Sequence, residues 1–266
     1  MKNIEINNKG IKYYIWFMIL KLNQREFIDT SKPIDLSIEL KAQEHSLKAW
    51  GLGDPKIEPV RDDDFVGSVA EGGVVNFKNI FFNPHAHLTH TECCGHITKE
   101  FYSVNDSLSR YFFNAQLVSI EPEKINNDSV ITLEQVRNLD IDVNTEAIII
   151  RTLPNSSSKN TFTYTGTNPP YIDGNVAQYL IDQGVDHILV DLPSVDKEQD
   201  NGILAFHHAF WNVPLNPNTT RTITEFIFIS SDIEDGTYIL NLQMGAFCND
   251  ASPSRPVLYA REEKNI

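Results

Sequence analysis

The sequence predicts an α/β fold in one compact domain, and three observations carry that expectation. Short apolar runs rich in Ile, Val, Phe and Tyr recur along the chain, as strands do. An amphipathic stretch between two of them is closed by Gly184, the left-handed residue a helix needs before the chain re-enters a sheet. The runs at 146–152 and 187–192 show little polar alternation, as expected of strands buried on both faces. With 266 residues, 41% of them hydrophobic and 22% charged, the chain has the length and composition of an ordinary globular protein with a substantial core.

Taken in order, the first apolar run is YYIWFMIL at 13–20, between Lys12 and Lys21. It is far short of a membrane span. LNQREFID follows it instead of a small-residue cleavage site, so it reads as a buried strand or hairpin arm rather than a signal-peptide core. Asn7, Asn8 and Gly10 suit a turn before it, and residues 1–27 form an N-terminal strand or hairpin extension. Further strands are expected at AQLVSI (115–120), EAIIIRT (146–152), HILVDL (187–192), EFIFIS (225–230) and TYILNLQM (237–244).

Helices are expected at 132–139, where Thr132 and Gln135 make a capping-box pattern, and at 173–183, where Val176, Tyr179 and Leu180 share a face. After residue 225 the pattern turns antiparallel. Loops fall at 153–171 and 212–222, and the polar stretch from Pro253 docks as an arm. No fixed-period repeat and no long linker divides the chain, so residues 1–266 read as a single domain.

Lys and Arg number 22 against 36 Asp and Glu, a net charge of −14 with no basic stripe, which argues against nucleic acid as a partner. Three cysteines, two of them adjacent, are too few for a disulfide framework and suit a reducing, cytoplasmic compartment.

Four of the eight histidines fall in FFNPHAHLTHTECCGH: His85, His87, His90 and His96, with Glu92 among them. Imidazole and carboxylate are the ligands that a catalytic Zn²⁺ or Mn²⁺ takes. In an extended segment His90 and Glu92, two apart, project from one face. A regular strand would turn His85 and His87 the other way, so a shared site requires a bulge or loop between Ala86 and Thr89, which Pro84 favours. A second group is His207-His208 in LAFHHAFW, followed by Glu225 at the head of EFIFIS. If that segment is extended, only one of the two histidines reaches a given ion. Vicinal Cys93 and Cys94 diverge and chelate poorly, so they read as packed, inert thiols.

These residues resemble the metal-dependent cyclase family that includes bacterial kynurenine formamidase, whose hallmark is H-x-G-T-H-x-D-x-P-x-H. LTHTECCGH carries Thr89-His90, Glu92 in place of the Asp, and His96 as the final His; Leu88 replaces the Gly and Cys94 the Pro. Ala86 stands where the first His belongs, and His85 or His87 substitutes for it. IDTSKPIDLSIEL (28–40) resembles the family's opening segment and VDLPSVD (190–196) its central strand and loop. LAFHHAFW with TEFIF resembles the later His and Glu, so the likeness covers most of 28–230.

The resemblance implies an α/β domain with a mixed, barrel-like sheet and flanking helices, commonly a homodimer or higher homo-oligomer. It implies one or two Zn²⁺, or Mn²⁺, held by His85, His90, Glu92, His207 and Glu225. Glu92, one methylene longer than Asp, sets its backbone further back and accommodates the displaced first His. The implied reaction is amide hydrolysis by water whose pKa the ion lowers toward ~7, with His96 moving the proton. The small-molecule substrate of the formamidase is N-formylkynurenine, giving kynurenine and formate. Another cyclic amide or lactone, or a binding protein without catalysis, are the alternatives. Trp50, Phe65, Tyr171 and Trp211 are candidates to cover an aromatic substrate.

Overall fold

The computed structural model describes residues 18–43 and 46–263. The turn expected at Asn7, Asn8 and Gly10, and positions 13–17 of the first apolar run, lie outside them. The rest of that run enters a hairpin, Ile19–Lys21 against Glu26–Asp29, whose first strand is exposed rather than buried.

The architecture is mixed α/β around one nine-stranded sheet. Across the sheet the strands run Ala251–Pro253, His90–Glu92, Thr222–Glu225, His187–Val190, Ala147–Thr152, Phe112–Ile120, Gly236–Asn241, Val257–Ala260 and Ile34–Asp35. The central four, from Thr222–Glu225 to Phe112–Ile120, are parallel, and antiparallel strands flank them on both sides. Just past the last strand, Ser37 bridges to Ile227 and Leu36 O accepts from Phe228 N at 2.8 Å, so the sheet curls back toward its own middle as a half-barrel.

Period-two alternation sorts the side chains. Val118, Ile120, Ile148, Ile150, Ile188, Val190 and Ile223 pack with the helices, while Ala115, Leu117, Ala147, Ile149 and Leu189 fill the inside of the curl with Leu240 and Leu258. Every residue of Ala147–Thr152 and His187–Val190 is buried, because both faces are covered.

Helix α1 (Pro84–His87) is a single turn that Asn83 caps through its side chain. Helix α2 (Leu133–Arg137) carries the expected capping box of Thr132 and Gln135, and α3 (Asn175–Asp182) buries Val176, Ala177 and Leu180 before Gly184 turns the chain at φ +86°. Helix α4 spans Ala205–Trp211.

Three expectations are corrected. The segment holding His207 and His208 is helical, because Asp196 supplies the partners for the α4 N-terminus: its carboxylate accepts from Phe206 N at 2.8 Å and His207 N at 3.1 Å. The strand expected at 225–230 runs Thr222–Glu225, so Glu225 closes it; Phe226, at φ +55°, leaves the ladder. The polar arm from Pro253 enters the main sheet through Val257–Ala260, with Leu258 fully buried.

Candidate metal centre

Strand His90–Glu92 is short, wholly buried and paired on both sides: Glu225 and Pro253 stand opposite His90, and Ile223 and Ala251 opposite Glu92. Residues opposite one another share a face, and Ile223 packs with Phe206, Phe210 and Trp211. His90, Glu92 and Glu225 therefore face α4. Thr91 and Thr224 point the other way, where their hydroxyls meet at 2.8 Å. Helical spacing turns His207 inward and His208 aside: His208 Nδ1 lies 3.1 Å from Val213 O.

His85 arrives from α1. Its carbonyl accepts the Trp50 indole N–H at 2.8 Å, which fixes the turn. His87, on the same turn, is held elsewhere: its Nδ1 accepts from Asn83 N at 2.9 Å and its Nε2 lies 2.9 Å from Gly53 O. Of the alternatives left open by the sequence, His85 and His207 are thus the histidines that reach the cluster. His96 comes from the turn after the strand and stacks on His85, ring centroids 4.3 Å apart.

Glu92 is the hub. Its Oε1 lies 3.1 Å from His207 Nε2; its Oε2 lies 3.1 Å from His85 Nδ1 and 3.8 Å from His96 Nδ1. Glu225 Oε2 stands 3.4 Å from His90 Nε2, and Glu225 Oε1 accepts from Val195 N at 3.1 Å. His90 Nε2 and Glu92 Oε2 are buried without a well-formed hydrogen bond. Two groups of donors, His85, Glu92 and His96, and His90, Glu92 and Glu225, each bring their atoms within 4.8 Å of one another. Two lone-pair donors orphaned in a buried cluster of imidazoles and carboxylates fit a divalent cation.

The titrations express the same electrostatics. Burial opposes a charge on His85 and on His207, yet carboxylates outweigh it, Asp250 and Glu92 for His85 and Asp196 and Glu92 for His207, raising both to about 10. Burial likewise opposes ionisation of Glu92, but the charge of His96 and contacts from His207 and His85 hold it well below its ordinary value. Cys93 is pushed up to about 11 by burial, which fits an inert thiol.

Two acidic residues complete the cluster without having been expected there. Asp196 Oδ2 lies 2.6 Å from His207 Nδ1, and Asp250 Oδ2 lies 2.9 Å from His85 Nε2 and 3.2 Å from His96 Nδ1. Of the four aromatic candidates, Trp50 borders the cluster. Trp211 is core against the His207 ring, Tyr171 bonds Asp128, and Phe65 packs edge-on against Phe77.

Residues 34–197 match the model of the Cyclase family, described as "Putative cyclase". The chain belongs to the Cyclase family. A search of curated proteins finds no match. The fold of this cyclase-family chain is similar to that of a structure described as a "potential metal-dependent hydrolase with cyclase activity", at a TM-score of 0.60 and 16% identity over 87% of this chain and 98% of the other. Isatin hydrolase A from Labrenzia aggregata, bound to benzyl benzoate, gives 0.62 and 13% over 87% and 94%. An isatin hydrolase bound to the product analogue thioisatinate gives 0.61 and 14% over 87% and 93%.

Proposed function

We propose that this cyclase-family chain is a metal-dependent hydrolase that cleaves a carboxamide whose nitrogen is carried by an aromatic ring. N-formylkynurenine is the first substrate to test, with kynurenine and formate as products. The observation that carries the reading is Glu92, a fully buried carboxylate ringed by His85, His96 and His207 and leaving one oxygen without a hydrogen bond. His85, His90, Glu92, His207 and Glu225 would hold one or two divalent ions, Zn²⁺ or Mn²⁺.

Such an ion supplies Lewis-acid polarisation of the scissile carbonyl and activation of water. The residues do the rest. His96, a third exposed at the edge of the cluster, accepts a proton from the attacking water and returns it to the leaving nitrogen. Asp196 orients His207 from behind, and Val195 N fixes Glu225. Trp50, anchored on the His85 carbonyl, and the edge-to-face pair Phe82 and Phe247 offer aromatic surface on the segments that carry His85 and Asp250.

A cyclic substrate is favoured as the second reading by the likeness to isatin hydrolases, whose named substrate carries the same bond between a carbonyl and an aniline nitrogen. The experiment is a panel of N-formylkynurenine, isatin, an aliphatic lactam and a lactone, assayed after loading with Zn²⁺ or Mn²⁺ and again after chelation. Turnover of an anilide that chelation abolishes supports the proposal; no turnover on any member overturns it.

We also infer a cytoplasmic homo-oligomer. Exposed Val74, Phe77, Ile80 and Phe81 lie close together in sequence across the segment of small hairpins at 56–81 and suit a contact between copies. Light scattering giving the mass of one chain would contradict the assembly.

A further inference from the structure

Asp250 stands outside every motif noted in the sequence, yet one of its oxygens touches two of the histidines of the cluster. Its Oδ2 lies 2.9 Å from His85 Nε2 and 3.2 Å from His96 Nδ1, across 165 and 154 residues of sequence. The backbone holds it there. Cys93 N donates to Asp250 O at 3.0 Å, Val104 N donates to Asn249 O at 2.9 Å, and Ala251 pairs with Glu92. Gly95 makes room for this approach: a Cβ on it would come within 2.4 Å of Tyr102 O and 3.3 Å of Asp250 Cβ.

A carboxylate accepts and does not donate, so each imidazole nitrogen facing it carries a proton. His85 meets a carboxylate at each nitrogen, Asp250 at Nε2 and Glu92 Oε2 3.1 Å from Nδ1, so both carry protons in the free cluster. An ion held beside Glu92 would displace the Nδ1 proton, while Asp250 keeps the one on Nε2. For His96 it places the proton on Nδ1 and leaves Nε2 as the base. We propose that Asp250 is a positioning residue that sets both tautomers, making His85 a donor through Nδ1 and His96 a base through Nε2. This rests on the reading of the site as a metal-dependent hydrolase, and it adds a residue that neither the hallmark motif nor the later His and Glu supplies.

The test is long-range ¹H–¹⁵N correlation of the imidazoles in the full chain loaded with Zn²⁺ alone, His96 being assigned by loss of its signals in His96→Gln. The expected spectrum shows His96 protonated on Nδ1 and His85 on Nε2. In Asp250→Ala the His96 proton redistributes to Nε2, zinc affinity falls about 10- to 100-fold, and kcat falls with little change in KM. Asp250→Asn keeps an acceptor oxygen and restores the Nδ1 tautomer and much of the lost activity. A wild-type His96 protonated on Nε2, or an Asp250→Ala protein with unchanged tautomers and zinc affinity, overturns the proposal. The wild-type spectrum decides the matter even if Asp250→Ala does not fold. Absence of turnover in the wild type would sink the hydrolase reading alone, because the tautomers are read without substrate.

Discussion

His207 Nε2 lies 3.1 Å from Glu92 Oε1, a contact between residues 115 positions apart that joins the histidine-rich strand to helix α4. Both side chains are almost wholly buried. A buried carboxylate is costly unless paired, and here imidazoles on three sides pair it. Protons on His85 and His207 balance its charge, and a divalent cation held there would replace them in that role.

Glu92→Asp tests the reach of the hub. Shortening the side chain by one methylene withdraws the carboxylate from His85 and His207, both now at 3.1 Å. Zinc affinity is expected to fall at least tenfold by calorimetric titration, although the change restores the residue of the family hallmark. Unchanged affinity would show that the backbone does not set the distance.

His207 and His208 form an internal control. His207→Gln is expected to lose the ion and turnover, while His208→Gln, which only releases the Val213 carbonyl, keeps both within about twofold. Elemental analysis and kcat/KM on the two variants check this, and equal effects would contradict the assignment of the helix face.

Asp196 joins stability to function. Its carboxylate serves two backbone N–H groups at the start of α4 and His207 Nδ1. Asp196→Ala is expected to cost about 2 kcal/mol or more in urea unfolding, because buried donors lose their acceptor. Asp196→Asn, retaining one oxygen, should recover part of that loss. A loss below about 0.5 kcal/mol on the Ala change would contradict the capping role.

His187 governs a pH dependence away from the cluster. Burial pushes it down from 6.5 to about 4, and its Nδ1 lies 2.9 Å from Thr222 Oγ1. Between those values the unfolded chain binds a proton that the folded chain refuses, so stability rises with pH. The contribution is complete above about pH 6.5 and is lost as pH falls through 4, on the order of 3 kcal/mol. His187→Gln should flatten the fall in Tm between pH 6.5 and 4 relative to wild type. An identical slope would contradict the shift.

Metal affinity should move the same way with pH for a different reason. His85 and His207, both raised to about 10, carry protons at neutral pH, and an ion must displace them. Apparent zinc affinity therefore rises from pH 6 to 9 and protons are released on binding, which calorimetry in buffers of different ionisation enthalpy measures. Pure heat of binding without proton release would contradict the assignment.

The buried parallel strands were legible in the sequence because uninterrupted runs such as AIIIRT have no other comfortable home. The capping box at Thr132 and the stop at Gly184 are local devices with local signatures. The cluster was half legible. Spacing placed His90 and Glu92 on one face, and the likeness to a family brought in His207 and Glu225. Periodicity did not reveal that His207 sits on a helix, since α4 depends on Asp196 nine residues before it begins, and it put Glu225 at the head of a strand that Glu225 instead closes. Asp250 left no local trace, because only the pairing of Ala251 with Glu92 carries it to the histidines.

Whether Glu92 and His207 hold one metal site is tested by the metal content, from elemental analysis, of protein purified without chelators beside Glu92→Ala and His207→Ala. One or two Zn²⁺ or Mn²⁺ per wild-type chain are expected, with loss in both variants, since the two residues belong to one cluster. Wild-type protein that takes up neither ion, even when it is supplied, would contradict the shared site.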